Sequence, residues 1–348
     1  MIKFPSIDQF RNTIKDVGFH FQEPNTKPTI EFLGTVKLHG TNAGVGWSRE
    51  NGIWAQSRNN IITIENDNAG FAKYVDAHKE ILDEVITALL NKHSFLETEE
   101  SLCIFGEWCG KGIQTGVSIS EIDRRFVVFG VAYVSTTCDD DGEKKTRWLS
   151  GIDVHDIIVH TRGDKVLPLH HILEFPHWTI NIDFNEPQLM QNRLCEITAA
   201  VELECPVAMA LGVSGVGEGV VWTGFLEKIK EDGTLFTKNI RFKVKGDKHS
   251  VTKVKTLAAV NVEKLSGIKS FIVYAVTDNR MAQGFDELFT KKALEPDMKG
   301  MPELIRWVRT DVLKEESDTL ESNGLTEKDI NKPLADCVRS WFKRKIIV

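Results

Sequence analysis

The sequence predicts an α+β protein: antiparallel sheets flanked by helices over residues 1–250, followed by a small, mostly α-helical domain over residues 251–348. Three observations predict it. Strand-length apolar runs recur through the first part, two of them joined by a tight turn. One long stretch there, residues 69–92, carries apolar residues at helical spacing. Beyond about residue 250 the strand signals give way to successive helical periods, which places a domain boundary near 247–255.

Taken in order, residues 1–28 form a lead-in: a short amphipathic stretch, then Glu23-Pro24-Asn25-Thr26-Lys27-Pro28. Residues 30–38 read as a strand. Ala43 to Trp47 and Gly52 to Arg58 read as a hairpin about the turn Glu50-Asn51-Gly52. Phe71, Tyr74, Val75, Ile81, Leu82, Val85, Ile86, Leu89 and Leu90 mark one face of a helix over 69–92, packed on a sheet. Ser101 to Trp108 and Phe126 to Val134 are apolar runs of the buried-strand type, and a charged loop, Asp139 to Lys145, follows them. Residues 186–203 predict a helix with Asn185 as N-cap and Pro187 in the first turn. Val213 to Thr223 and Leu235 to Lys245 predict two more strands. Four helices complete the chain: Glu263 to Val276, Met281 to Leu294, Pro302 to Lys314 and Leu334 to Lys345.

The 348 residues, 41% hydrophobic, suffice for two domain cores. The net charge of −7 argues against gross electrostatic adhesion to nucleic acid but leaves room for a local basic groove. Residues 1–250 carry a net of −9 and residues 251–348 a net of +2, with a small basic cluster at Lys343-Arg344-Lys345. The six cysteines form no Cys-x-x-Cys pair and no zinc-ligand spacing, as expected of a reduced, cytoplasmic protein (host cytoplasm if the source is viral). No run approaches the ~18 apolar residues of a membrane span, and Met1-Ile2-Lys3-Phe4-Pro5-Ser6 lacks the apolar core of a secretion signal.

The stretch that carries the chemistry is Thr35-Val36-Lys37-Leu38-His39-Gly40-Thr41-Asn42. A lysine that must present a neutral amine to a phosphate needs a fixed root, which the end of a strand supplies, and Gly40 permits close backbone approach. Lys-x-x-Gly alone arises constantly by chance. Five further pieces follow in order: Ser57-Arg58 at a strand end; Phe105-Gly106-Glu107-Trp108, a carboxylate at another; the aromatic run Phe126-Val127-Val128-Phe129-Gly130; Glu218-Gly219-Val220-Val221; and Phe242-Lys243-Val244-Lys245, two lysines on one strand face.

This ordered set resembles the covalent nucleotidyltransferases, which include ATP-dependent ligases and mRNA capping enzymes. The string Lys37, His39, Gly40, Thr41, Asn42 is similar to the RNA ligase 2 family of phages and the kinetoplastid RNA-editing ligases, as is Phe105-Gly106-Glu107 followed by Gly110, Gly112 and Gln114. The resemblance covers roughly residues 30–250. It implies an ATP-grasp-like nucleotidyltransferase domain over 1–250 and a helical RNA-engaging domain over 251–348. It further implies ATP and Mg²⁺ (or Mn²⁺) as cofactors and RNA ends, nicked duplex or single strand, as partners of a monomer. Lys37 would attack the α-phosphorus of ATP, AMP would pass to an RNA 5′-phosphate, and a 3′-hydroxyl would then displace AMP. An ordinary lysine, with pKa about 10.4, is nearly all protonated at neutral pH; Lys243, Lys245, Arg58 and a bound metal are the cations expected to lower it.

The resemblance also assigns roles. Arg58 would hold a phosphate, Glu107 a ribose hydroxyl, and Glu218 the Mg²⁺ and its waters. Phe129 would stack on adenine, the alternative being core packing. Lys243 and Lys245 would contact the α-phosphate. His39 would orient the leaving group or stay a satisfied turn residue, and Asn42 and Gln114 would help place the reactive ends. Val36 stands where the family often has an acidic residue, so the backbone of Val36 or Leu38 would read the adenine amine. Trp108 replaces an aliphatic residue. Within the class, a DNA ligase or capping-type enzyme would need an oligonucleotide-binding barrel after residue 250, where helices are predicted. Outside it stands a catalytically silent nucleic-acid-end-binding protein, against which the intact Lys37, Glu107, Glu218, Lys243 and Lys245 argue.

Overall fold

The computed structural model describes residues 1–21, 26–138, 144–229, 233–246, 267–291 and 295–347. The chain divides into two compact units, Met1–Pro187 with Glu196–Val244, and Gln188–Cys195 with Lys245–Val348. The cut falls just before the interval 247–255 named from the sequence, which lies outside the described residues, as does the stretch 139–143 of the charged loop.

The first unit opens with β1 (Asp8–Gln9) and α1 (Phe10–His20), then β2 (Thr29–Val36), β3 (Thr41–Ser48), β4 (Gly52–Ser57) and β5 (Ile61–Ile62). The single helix expected over 69–92 is two, α2 (Phe71–Ala77) and α3 (Lys79–Lys92). His78 leaves the helical backbone between them, with Nδ1 bonded to Tyr74 O at 2.8 Å. The apolar stripe runs on across the break, which is why periodicity alone missed it. Strands β6 (Ser101–Cys109), β7 (Arg125–Cys138) and β8 (Lys144–Trp148) follow, then α4 (Gly151–Arg162), β9 (Leu169–His171) and β10 (His177–Asp183), then α5 (Gln191–Leu203), α6 (Pro206–Ala210), β11 (Gly219–Ile229) and β12 (Leu235–Lys245).

Among the described residues these strands make two sheets, β1-β12-β11-β2-β10 and β5-β4-β3-β6-β7-β8 with β9 beside β7, antiparallel except where β1 meets β12 and β9 meets β7. A large core lies where α2, α3 and α4 cover the second sheet, with Phe71, Leu82, Val85, Ile104, Phe126 and Ile158 at its centre. Two sequence expectations are corrected. Asn185 caps no helix: its amide bonds the backbone N and O of Lys27, at 3.2 and 2.8 Å, and α5 begins at Gln191 after a short turn. The strand expected from Val213 begins only at Gly219.

Beyond residue 266 the regular elements among the described residues of the second unit are all helical: α7 (Ile268–Ala275), α8 (Asp278–Phe285) running into a wider turn at Asp286–Lys291, α9 (Met301–Ser322) and α10 (Glu327–Ile347). Leu304, Val308 and Val312 of α9 and Ile330, Leu334, Val338 and Phe342 of α10 repeat every fourth residue and form the seam between them. Helix α10 begins at Glu327, ahead of the Leu334 expected from the sequence, and runs through Pro333. No described helix is long and apolar enough to cross a membrane.

Candidate active site

Residues Lys37–Gly40 are the crossover by which the chain leaves one sheet at the end of β2 and enters the other at β3. The crossover is pinned on both sides. Val36 and Leu38 are buried, and Lys37 N donates to Gly219 O at the start of β11, 2.8 Å away. Gly40 N donates to the Glu107 carboxylate on β6 at 2.9 Å, and Gln114 Nε2 donates to Gly40 O at 3.0 Å. A Cβ at residue 40 would stand 2.3 Å from Trp108 O, so only glycine lets the turn lie this close to β6.

Lys37 Nζ donates to Glu218 Oε2 at 2.7 Å, and His39 Nδ1 lies 3.2 Å from the same oxygen. Glu218 is 3% exposed. Burial by itself would lower the Lys37 pKa, but the fields of Glu218 and Glu107 and the hydrogen bond to Glu218 outweigh it, and the amine is held above its ordinary value. The expectation that cations lower this amine is therefore reversed: carboxylates hold it up. Two carboxylates flank it, whereas Arg58, one of the expected cations, is exposed and donates to Ser6 Oγ at 3.3 Å. Burial pushes Glu107 up to about 7, with Glu218 adding to the rise and Lys37, Gly40 N and Arg58 opposing it.

Asn42 stands opposite Glu107 in the β3–β6 ladder, and Thr41 Oγ1 accepts from Asn68 Nδ2 at 3.2 Å. Asn42 Oδ1 and Gln114 Oε1 are buried and unpartnered. Phe129 is the extra residue of a β-bulge: Phe105 pairs with Gly130 and Gly106 with Val128, so Phe129 has no counterpart on β6. Its ring lies 5.0 Å from that of Phe4, which lies 5.3 Å from Phe105, so Phe129 is on the face of the sheet that Phe105 and Glu107 share. Trp108 faces the other way, into the helices, with Nε1 donating to Ala69 O at 2.9 Å.

Lys243 is in register with Gln9 of β1 and on one face of β12 with Arg241, whose guanidinium lies 3.8 Å over the Trp148 ring. Lys245 is the last residue of β12 and falls in the second unit. The structure thus links Lys37, His39, Gly40, Glu107, Gln114 and Glu218 by hydrogen bonds, sets Asn42 opposite Glu107, and puts Arg58 close enough for its charge to act on Glu107. Sequence reasoning missed Phe4, Asn68, Trp148 and Arg241. Only Arg241 left a signal, its two-residue step from Lys243.

A nucleotide and a divalent cation fit these residues. Two carboxylates exceed the single amine between them, and two buried acceptors want donors such as ribose hydroxyls or metal-bound waters. No group of three or more His, Cys, Asp or Glu side chains among the described residues is arranged to hold a metal, so a cation here would take few protein ligands and keep water or phosphate oxygens, as Mg²⁺ does.

The RNA ligase family matches residues 30–245 of the chain, and the chain belongs to that family. Among solved structures it is similar to a Naegleria gruberi RNA ligase with pyrophosphate, at TM-score 0.40 and 18% identity over 71% of this chain and 56% of that one. It is also similar to a variant of that ligase with ATP and manganese, at TM-score 0.42 and 19% identity over 71% and 56%. The chain spans little more than half the length of these relatives. No curated protein matches it.

Proposed function

We propose that this protein is an ATP-dependent RNA ligase that joins 3′-hydroxyl and 5′-phosphate RNA ends through lysyl-AMP and RNA-adenylate. The observation that carries the reading is Lys37 at the crossover between two sheets, its amine held by Glu218 beside Glu107. Membership of the RNA ligase family supports it.

The ammonium must first lose its proton. Glu218 keeps it charged; with a divalent cation bound, Glu218 would hold the ion or its waters instead of the ammonium, the ion would supply positive charge beside the phosphates, and the lysine proton would pass to solvent water at the open side of the site. The neutral amine then attacks the α-phosphorus, an N–P bond forms, the P–O bond to pyrophosphate breaks, and Lys243, Lys245 and Arg58 receive the phosphate charge. Glu107 accepts from a ribose hydroxyl, Phe129 stacks on adenine, and His39 and Gln114 hold the turn. The RNA 5′-phosphate takes AMP from Lys37, and the 3′-hydroxyl attacks that activated end with AMP leaving. Asn42, its acceptor unpaired, orients the ends. The second unit engages the RNA; Trp341, Arg344 and Lys345 line a pocket on it with Asp278, a combination suited to a phosphate and a base.

The test is incubation with α-labelled ATP and Mg²⁺ or Mn²⁺. Wild type should acquire a label that survives denaturation and alkali and is released by acid, as a phosphoramidate is, and should pass it to 5′-phosphorylated RNA. Labelling that persists in Lys37→Ala, or no labelling of wild type, overturns the proposal.

A further inference from the structure

The segment Ile2–Ser6 packs into the wall that carries Phe129. Ile2 and Phe4 are buried with Cys103, Phe105 and Ala132. Ile2 O accepts from Gln56 Nε2 at 2.6 Å, and Gln56, itself without exposed surface, accepts from Trp54 Nε1 at 3.1 Å. The Phe4 ring meets three others edge-on: Phe129 at 5.0 Å, Phe105 at 5.3 Å and Trp148 at 5.6 Å. The Arg241 guanidinium lies 5.5 Å from its centroid. Two residues on, Ser6 Oγ accepts from Arg58 Nη2 at 3.3 Å. Asp8 and Gln9 then pair with Phe242 and Lys243. One short stretch of chain therefore touches the bulge ring, the guanidinium and the strand of Lys243, each in a different part of the sequence.

We propose that Phe4 is a positioning residue for the nucleotide base. The inference rests on the reading that adenine stacks on Phe129. A half-buried ring on a bulge lacks the cross-strand partner that would fix it, and an edge-to-face neighbour supplies the constraint, since the positive rim of one ring seeks the negative face of another. With Phe4 in place the Phe129 ring is ordered before the base arrives; without it, that ordering is charged to binding.

The test measures affinity for ATP and for inorganic tripolyphosphate by titration calorimetry, with Lys37→Met as the background so that no covalent adenylate forms. Phe4→Leu preserves apolar burial and removes the ring edge. It should weaken ATP about threefold to tenfold, leave tripolyphosphate unchanged, and add nothing to the effect of Phe129→Leu in the double variant, while Phe4→Tyr keeps wild-type affinity. The proposal is overturned if Phe4→Leu leaves ATP affinity intact, weakens both ligands equally, or adds fully to Phe129→Leu. If Phe129→Leu itself leaves ATP affinity intact, the base-stacking reading falls and this inference with it; if Phe129→Leu weakens ATP and Phe4→Leu does not, only the inference falls.

Discussion

Two clusters of buried charge in this chain have the same ratio of partners and opposite characters. In the first unit Glu218 and Glu107 attend Lys37; in the second Asp311 and Glu316 attend Arg280. Arg280 has no exposed surface, and its donors go to three acceptors: Nε to Asp311 at 2.8 Å, Nη2 to Glu316 at 3.5 Å and Nη1 to Ala275 O. A guanidinium cannot lose its charge at any pH a protein meets, and its fork matches several acceptors at once, so this cluster ties α7, α8 and α9 together. Lys37 is a point charge that can lose its proton, is 22% exposed, and sits among a carboxyl pushed up to about 7 and two unpaired acceptors. Burial of charge therefore does not by itself mark a reactive site. A removable proton, unmatched acceptors and an opening to solvent do.

Exchanging the cations is the strongest way to break this contrast. Lys37→Arg keeps the charge pair with Glu218 and loses the nucleophile, so labelling from ATP should fall by at least about 10³-fold while the urea midpoint holds; labelling near the wild-type rate would erase the distinction. Arg280→Met should do the converse. It removes the guanidinium from between Asp311 and the buried Glu316 and should cost about 3–5 kcal/mol of unfolding free energy in urea. Labelling per folded molecule should stay within about twofold, as for independent sites. Gly40→Ala forces Trp108 O or the turn to move and so misplaces the amine beside Glu107; labelling should drop about 10²-fold, read as kcat rather than as KM for ATP.

The smallest effect sharpens the contrast in pH. Glu107 holds its proton more tightly folded than unfolded, so its contribution to stability is fully present below about 4.5 and is lost as pH rises through about 7. Lys37 stays charged across that window, because its raised pKa confines its own loss to pH above 10.5. Urea midpoints measured from pH 4.5 to 7.5 should therefore decline in wild type and decline less in Glu107→Gln, by on the order of 1 kcal/mol. Equal slopes would show that Glu107 is not perturbed.

The elements that sequence made legible are those with one simple pattern: alternation in β2, an unbroken apolar run in β6, and the helical period in α3, α9 and α10. The strand β10 alternates as strictly, with Ile180 and Ile182 inward, but it is short and begins with His177 and Trp178, and so passed unread. In the site, the motif order located Lys37 and Glu218, which flank the end of β2 and the start of β11, and Glu107 near the end of β6. The direction of the Lys37 shift was not legible. It depends on which charges reach the amine through space, and a list of lysines and arginines contains no distances. Phe4 was invisible for the same reason, being one aromatic residue in an unpatterned lead-in.

The bond between Lys37 and Glu218 also keeps this one amine chemically quiet. A neutral primary amine in a partly open cleft would react with acyl phosphates, aldehydes and activated esters; one kept as ammonium does not. Carbamylation or acylation at this position is thus governed by whatever takes the carboxylate away, and a brief pulse of amine-directed reagent becomes a gauge of how many molecules have been armed.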